Sequence, residues 1–300
     1  MSDAMLDLSH AITARVSQLS PSIVRIDARR RGGATGTVWS ADGLIVAAHH
    51  SIHRDEGIHV TLHDGREIDA ALVGSDPATD LALLRVKVEG AALQPAPWDD
   101  GSDVAVGQVV LALSRPGRTV RAAMGIVSVY GDEYRTWGGG RLDRFVQSDV
   151  EPLMGFSGGP LVRAGGGVIG MNTSGILRRA AVAVPTTTVR RVVDSIVTHG
   201  RVRRGYLGVG VQFVALPEAL ARATGQTGGL LVASVEPGSA AADAGVTLGD
   251  VLLAFDGNAL DGPRRLVELL TEQAVGRAVP LRVARGGVVQ ELQVTVATRA

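Results

Sequence analysis

The stretch VTLHDGREIDAALVGSDPATDLALLRV, residues 60–86, contains the signals that decide the fold. Its HDG triplet separates two segments rich in apolar and β-branched residues, and Gly65 can adopt a positive φ at little cost, so we expect a β-hairpin here. Asp80 stands where a third apolar segment begins. Short strands joined by tight turns are typical of an antiparallel β-barrel or sandwich.

The same alternation of short apolar segments and turns extends through the first two hundred residues. Two groups of strands are expected, and the economical arrangement is two β-barrels with a cleft between them. One helix, TTTVRRVVDSIVTHG at 186–200, closes this part, with a Thr cap at its start and Gly200 at its end. The strand segments are SIVRIDA, TGTVWSADGLIVAAH, QVVLALS, MGIVSVYG, RFVQSDV, GPLVRAGGGVIGMNTSGI and AAVAVPTTT.

The pattern changes after RVRRGYLGVGVQ. From Gly205 onward, strands alternate with two helices, LPEALARATGQ and PRRLVELLTEQ, and EPGSAAADAGV is expected to be a turn. We therefore predict two domains, residues 1–204 and residues 205–300. At the other end of the chain, the apolar residues of the first 22 positions fit a short amphipathic helix.

Composition excludes several functional classes. Acidic and basic residues number 30 each, so no single-sign field attracts nucleic acid or an anionic membrane. The chain contains no Cys, which excludes disulfides, thiolate nucleophiles and Cys-bound zinc. No window has the roughly 18 to 20 uninterrupted apolar residues of a membrane span, and the N-terminus lacks the signal-peptide pattern. A cytoplasmic location is the expectation from the sequence as written.

The glycine-rich segment GFSGGPL, residues 155–161, is a candidate site for a nucleophile. A nucleophilic serine on a tight turn needs neighbours without side chains, because backbone N–H groups must point at the oxyanion that forms beside it. Ser157 meets this requirement. The alternative is a glycine-rich turn whose serine is merely solvated.

A nucleophilic serine needs a base and an orienting acid, and both types of residue occur upstream. The base candidates are the histidines of VAAHHSIH, residues 46–53, and the acid candidate is Asp80. A strand-entry turn is the alternative role for Asp80, and Asp76 is a competing acid whose position before Pro77 suggests a turn residue. A zinc site using His49 and His53 is also open, although the segment supplies no obvious third ligand.

The chain resembles the HtrA/Deg group of trypsin-like serine proteases, in which a two-barrel protease domain precedes PDZ domains. The resemblance implies a mostly β fold, with a two-barrel chymotrypsin/trypsin-like protease domain followed by an α+β PDZ domain. The residues that carry it include PSIVRI, TGTVWSADGLIV, VTLHDGREIDAALVGSDPATDLALLRV, GIVS, VQSDV, SGGPLV, GVIGMNT, AVPTTTVRRVVDSIVTHGRVRRGYLGV and GLLVASVEPGSAAADAGVTLGDVLLAFDG.

The resemblance also implies the activity and its residues. It implies an ATP-independent serine endopeptidase that acts on unfolded polypeptides without a cofactor or metal, assembles as a homotrimer and is often exported. The implied triad is His50, Asp80 and Ser157. The implied oxyanion donors are the N–H groups of Gly155 and Ser157. The implied PDZ carboxylate-binding loop is Tyr206, Leu207, Gly208 and Val209, which would bind C-terminal peptides.

Register decides which histidine is the base. Counting without gaps from both flanking segments selects His50, whereas counting from a trypsin-like Ala-Ala-His selects His49. The family residues before Ser157 and before the histidines are replaced here by a set of apolar side chains, Ala47, Ala48, Met154 and Phe156. Glu151 occupies the position that forms the floor of the S1 pocket in trypsin-like enzymes, where a carboxylate would favour a basic P1 side chain. Small apolar P1 residues are usual in the family that this chain resembles. We therefore interpret Glu151 as a charged loop residue.

A function of a different class is compatible with these departures. A catalytically silent, protease-like scaffold could use its PDZ domain to bind exposed C-termini. The complete set of triad residues argues against this alternative, and labelling of Ser157 by a serine-reactive probe would distinguish the two.

Overall fold

The computed structural model describes residues 3–28, 32–88, 92–151, 154–177 and 180–298. The chain forms two compact units, Met1–Val202 and Arg203–Ala300. The domain boundary predicted after residue 204 lies just beyond this division and remains a prediction. Among the described residues, none of the helices is long and apolar enough to cross a membrane.

Six antiparallel strands of the first unit form a closed barrel, in the order β1-β2-β3-β6-β5-β4. The predicted hairpin joins two of these strands, and the prediction is confirmed. The N–H of Leu62 donates to the Arg66 carbonyl at 2.8 Å, and Gly65 has a φ of +90°. The strands are β1 Ile23–Asp27, β2 Ala34–Val38, β3 Leu44–Ala48, β4 Ile58–Thr61, β5 Glu67–Asp76 and β6 Leu81–Val86.

A second closed barrel follows, and a short two-stranded hairpin interrupts its strands along the chain. The strands are β7 Val109–Ser114, β8 Arg121–Gly131, the hairpin strands β9 Tyr134–Arg135 and β10 Arg141–Leu142, and then β11 Phe145–Ser148, β12 Pro160–Arg163, β13 Val168–Thr173 and β14 Ala181–Pro185. When strands are numbered within their own barrel, both barrels have the circular order 1-2-3-6-5-4. The two barrels therefore share one topology without visible sequence repetition.

Two helices flank the barrels, α1 at Asp3–Leu19 and α2 at Thr186–His199. The predicted C-terminal end of α2 is confirmed, because Gly200 has a left-handed φ of +74° and its N–H donates to Ile196. The predicted Thr cap is wrong. Pro185 occupies the N-cap, and the hydroxyl of Thr186 donates instead to the Val168 carbonyl on β13. Tertiary hydrogen bonding has therefore replaced local capping.

The second unit contains a sheet in the order β16-β17-β18-β20-β21, with β16 at one edge. The segment predicted as a turn contains a short third helix, α4, because the Ser239 side chain accepts from the Ala242 N–H and caps it. The elements are β15 Gly205–Tyr206, β16 Val209–Ala215, α3 Glu218–Thr224, β17 Gly228–Val235, α4 Ala240–Asp243, β18 Val251–Phe255, β19 Asn258–Ala259, α5 Pro263–Leu269, β20 Ala278–Arg285, β21 Val288–Thr295 and β22 Ala297–Thr298.

Candidate active site

His50 lies immediately after β3, in a single turn of 3-10 helix formed by His49–Ser51. The buried strand β3 ends at Ala48, so His50 lies at the end of that strand, at the edge of the first barrel. Its Nδ1 lies 2.7 Å from Asp80 Oδ2, and its backbone N–H donates to Asp80 Oδ1 at 2.8 Å. One carboxylate therefore fixes both the main chain and the ring of His50.

Asp80 is buried, with 4% of its surface exposed, and it adopts a left-handed φ of +57°. Such a φ is uncommon for a residue other than glycine and is most tolerated by Asn and Asp. The preceding turn imposes it, because Asp76 Oδ2 accepts from the Thr79 hydroxyl at 2.7 Å and the Asp80 N–H donates to the Pro77 carbonyl at 3.3 Å. Asp76 thus has the turn role proposed for it.

Ser157 lies on the turn between β11 and β12. Its Oγ is 3.2 Å from Ser174 Oγ and accepts from the Ser174 N–H at 3.2 Å. Among the described residues, no hydrogen bond joins Ser157 Oγ to His50. The structure therefore brings His50 and Asp80 into direct contact, and it places the Ser157 hydroxyl against Ser174 instead.

The last residue of β13 and the two residues that follow it link these groups. The Thr173 hydroxyl donates to Asp80 Oδ2, and Ser174 contacts Ser157. Gly175 packs so closely that an added Cβ would lie 2.5 Å from Asp80 Oδ2 and 2.8 Å from His50 Nδ1. All three predicted residues thus border one segment, Thr173–Gly175. Sequence reasoning missed Thr173 and Ser174, although their position at the end of a buried strand was a usable signal.

Two backbone N–H groups at the predicted nucleophile are open. Within the part of the chain that the structure describes, neither Gly155 nor Ser157 donates its backbone N–H to any acceptor. Gly155 has a φ of +91°, and a Cβ there would lie 2.7 Å from Pro116 Cβ. Free donors on a glycine turn are what stabilisation of a developing oxyanion requires.

A small pocket opens beside Ser157. Its lining combines small and apolar side chains, among them Ala112 and Val182, with Asn172, Phe156 and Glu151. Phe156 is buried, at 5% exposure, whereas Glu151 is exposed. The two side chains therefore differ in surroundings, because Phe156 packs in an apolar cluster of the second barrel and Glu151 stays in contact with water.

The histidines proposed for a zinc site do not form one cluster. His53 Nε2 lies 3.1 Å from the His50 carbonyl oxygen, and the His49 N–H donates to the Asp80 carbonyl at 3.0 Å. Across the described ranges, no group of three or more His, Asp or Glu side chains could hold a metal ion. The third ligand that the zinc hypothesis needed is not found there.

The second unit has its own loop with open donors. The Leu207 carbonyl accepts from Ala241 at 2.9 Å and the Gly208 carbonyl accepts from Glu236 at 2.8 Å. In the described portion of the chain, the N–H groups of Leu207 and Gly208 have no acceptor. Gly208 has a φ of +76°. Two neighbouring N–H groups without an acceptor on a glycine loop are the type of donor that binds a carboxylate.

Family comparisons agree with this arrangement. Residues 34–171 match the model of the trypsin-like peptidase domain, and residues 205–296 match that of the PDZ domain. The fold and the site thus define a trypsin-like peptidase domain followed by one PDZ domain.

Solved structures identify the family more closely. The HtrA-type protease AlgW with tripeptide is 33% identical to this chain, with a TM-score of 0.71, and the match covers 98% of this chain and 97% of that one. A serine endoprotease from Yersinia pestis is 27% identical, with a TM-score of 0.74 and 98% of both chains covered. The chain belongs to the HtrA-type proteases, which confirms the resemblance seen in the sequence.

Curated relatives are longer. A probable periplasmic serine endoprotease of Brucella suis, described as DegP-like, is 36% identical over 271 residues, covering 88% of this chain and 52% of the relative. A DegP-like protein of Chlamydia trachomatis is 33% identical over 268 residues, covering 87% of this chain and 53% of its own length. The chain spans about half the length of the curated relatives it matches.

Proposed function

We propose that the protein is a serine endopeptidase that cleaves unfolded polypeptides independently of ATP. One observation carries the proposal: the buried Asp80 carboxylate lies 2.7 Å from His50 Nδ1, beside a serine on a glycine turn with open N–H donors. A carboxylate at Nδ1 keeps the proton on that nitrogen and leaves Nε2 as the base.

The proposed reaction has two stages, formation of an acyl-enzyme and its hydrolysis. Ser157 Oγ attacks the peptide carbonyl while His50 Nε2 takes its proton, and Asp80 stabilises the imidazolium without accepting that proton. The N–H groups of Gly155 and Ser157 stabilise the tetrahedral oxyanion. His50 then protonates the leaving amine, the C–N bond breaks, and an acyl-enzyme on Ser157 remains. Water, activated by His50, hydrolyses the ester and restores the serine.

The contact between Ser157 and Ser174 sets a condition on this reaction. In the proposed reaction, the Ser157 hydroxyl leaves Ser174 and turns towards His50 before it attacks. Catalytic hydrogen bonds are often long or poorly aligned without substrate and tighten in the Michaelis complex. The present orientation of the hydroxyl is therefore compatible with catalysis.

For the residue before the scissile bond, we propose small apolar side chains. The pocket beside Ser157 is small, and its lining includes the apolar side chains of Phe156, Ala112 and Val182. Glu151 also borders this pocket, but it is exposed. Exposed ion pairs contribute about 0–1 kcal/mol, so a basic P1 side chain would gain little from Glu151.

For the second domain, we propose binding of C-terminal peptides at Tyr206, Leu207, Gly208 and Val209. The free N–H groups of Leu207 and Gly208 support this role, since they could donate to a terminal carboxylate. The adjoining strand β16 is at the sheet edge, so a peptide can add there as a further strand. Phe213 on β16 and Val267 on α5 are exposed apolar side chains that could contact it.

For the assembly, we propose a homotrimer formed through the N-terminal segment. Three large apolar side chains of α1, those of Met5, Leu6 and Leu8, are exposed at 64%, 59% and 42%. Contact with other copies of the chain would remove this surface from water.

We expect Ser157→Ala and His50→Ala each to abolish hydrolysis of unfolded casein, whereas His49→Ala retains it. The reason is that the His50 ring lies 2.7 Å from Asp80 Oδ2, and the contacts of the described residues include none between the His49 ring and Asp80. A fluorophosphonate probe checks the nucleophile, because it should label the wild type and leave Ser157→Ala unlabelled. Loss of activity in His49→Ala alone would shift the base by one residue. No labelling of the wild type, with retained peptide binding, would favour the silent scaffold.

For specificity, we expect Glu151→Gln to change the ratio of kcat/KM for Arg over Val at P1 by less than about fivefold, since an exposed charge contributes at most about 1 kcal/mol. A panel of quenched peptides that differ at P1 alone measures the ratio, and wild type should prefer Val. A tenfold fall in the Arg/Val ratio in Glu151→Gln would instead make Glu151 a P1-selecting carboxylate.

For the PDZ domain, we expect a peptide with a hydrophobic C-terminus to bind at least about tenfold more tightly than its C-terminal amide, because hydrogen bonds to charged groups contribute about 1.5–3 kcal/mol. Isothermal titration measures both affinities.

Gly208→Ala should also weaken binding, since a Cβ there lies 2.2 Å from Ser239 Cβ. Gly225→Ala is the matched control, because Gly225 has a similar φ of +70° but no atom near its Cβ position. Equal affinities for acid and amide would contradict the proposed loop.

For the assembly, sedimentation velocity should detect a trimer of the wild type and a shift to smaller species in Leu6→Glu, because a charge in a buried contact is costly. Asp7→Asn, an exposed change on the same helix, should leave the trimer intact. A monomeric wild type would contradict the proposal.

A further inference from the structure

Two threonines of β2 face away from the core of their own barrel. Side chains alternate along a strand, and a Cβ on Gly36 would lie 2.6 Å from Ile26 Cδ1 and 2.7 Å from Ile45 Cγ2, within the first barrel. The flanking side chains of Thr35 and Thr37 therefore point outward. Both are nonetheless fully buried, at 0% exposure, because the loop that carries Ser157 covers them.

These two hydroxyls contact the loop on both sides of the proposed nucleophile. Thr35 Oγ1 donates to the Gly155 carbonyl at 2.7 Å, and Thr37 Oγ1 donates to the Gly158 carbonyl at 2.9 Å. Strand β2 belongs to the first barrel and the loop leads into β12 of the second. The first barrel thus holds the loop of the second through two side-chain hydrogen bonds.

The two contacts differ in how much else supports them. After Ser157, the backbone is held independently, since the Gly158 N–H donates to the Asn172 carbonyl at 2.9 Å and the Asn172 N–H donates to the Gly159 carbonyl at 2.9 Å. Before Ser157, Thr35 supplies the hydrogen bond that Gly155 makes within the described residues. Loss of the Thr37 hydroxyl leaves the loop anchored, whereas loss of the Thr35 hydroxyl frees Gly155.

Neighbouring groups direct the Thr35 proton toward Gly155. The Arg115 N–H donates to Thr35 Oγ1 at 2.9 Å, and a hydroxyl that accepts from an N–H has its single proton left to donate elsewhere. Arg115 itself is fixed, because its buried guanidinium donates to the carbonyls of Ile23 at 2.7 Å and Arg118 at 2.8 Å. The Gly155 carbonyl is the acceptor that remains for the Thr35 hydroxyl.

Gly155 needs such an external contact. The close approach of Pro116 leaves no space for a Cβ at position 155, and glycine has the widest choice of backbone conformations. Several orientations of the peptide after Gly155 are therefore accessible to an unrestrained loop. A hydrogen bond to its carbonyl selects one of them.

We propose that Thr35 is a positioning residue, whose hydroxyl holds the Gly155 carbonyl and so keeps the N–H groups of Gly155 and Ser157 free for the oxyanion. This role rests on the proposed serine endopeptidase activity. Thr35 touches neither substrate nor the reacting atoms, and its effect is transmitted through the main chain of the loop.

The test compares variants that separate the hydroxyl from the side-chain volume. Thr35→Val removes the hydroxyl at nearly constant size, and Thr35→Ser keeps the hydroxyl. Removing one oxyanion donor lowers kcat about 10²–10³-fold, so misplacing one should lower kcat about 10- to 100-fold. We expect that loss in Thr35→Val, with KM within about threefold of wild type, and a kcat within about threefold of wild type in Thr35→Ser.

Thr37→Val is the matched control. It removes an equally buried hydroxyl from the same strand, so it should also lower the melting temperature, by less than Thr35→Val because Thr37 makes one of the described hydrogen bonds and Thr35 makes two, while kcat stays within about threefold of wild type.

A peptide boronate provides a second readout. Its tetrahedral anionic adduct with the serine resembles the transition state, so its affinity should fall with kcat in Thr35→Val, while product-peptide affinity stays unchanged.

Equal losses of kcat in the valine and serine variants, or a wild-type kcat in Thr35→Val, would overturn the assignment. Failure of Thr35→Val to fold leaves Thr35→Cys as the test, because a thiol is a weaker donor and should give an intermediate kcat.

These outcomes are distinguishable from a failure of the proposed function. A wild-type protein that neither reacts with a fluorophosphonate nor cleaves any peptide would remove the proposed activity itself. An active wild type with an equally active Thr35→Val variant would remove the role of Thr35 alone.

Discussion

The Asp80 carboxylate is the contact on which the rest of the site depends. It accepts from the main chain of His50, lies beside the ring of His50, and accepts from the hydroxyl of Thr173. These partners come from both barrels, so packing of the second barrel against the first completes the set of groups around this buried carboxylate. An isolated buried carboxylate is very costly, whereas one with several donors is not. The same contacts that hold the charge therefore also align the imidazole.

Much of this arrangement was accessible from the sequence, and the limits have physical causes. Alternating segments and the turn at Gly65 predicted the strands, because these are local properties. The left-handed φ of Asp80 was not predicted, since it arises from the hydrogen bonds of Asp76 and Thr79 within a particular turn. Thr186 was predicted to cap α2, but β13 lies close enough for its hydroxyl to bond there instead. Tertiary contacts decided both cases.

The reason that the sequence analysis gave for the glycines around Ser157 is incomplete. They were explained by the need for free N–H groups, yet Gly158 and Gly159 donate their N–H groups to carbonyls of the protein. A Cβ on either would lie 2.0 Å from a backbone oxygen, that of Thr35 or that of Leu113. Close packing of main chain against main chain requires these two glycines. The open donors belong to Gly155 and Ser157.

Both loops proposed to bind an anion, the one at Gly155 and the one at Leu207 and Gly208, keep backbone N–H groups free of protein acceptors among the described residues. A backbone N–H stays free only if the loop is held by other groups, and in both loops the carbonyls provide the attachment. Leu207 and Gly208 are held by backbone donors of Ala241 and Glu236, whereas Gly155 is held by the side chain of Thr35. A hydrogen bond from a backbone N–H survives most substitutions of the donor residue, whereas the hydrogen bond from Thr35 is lost when the side chain has no hydroxyl. The loop proposed to bind the oxyanion is consequently the more sensitive of the two to substitution outside the loop itself.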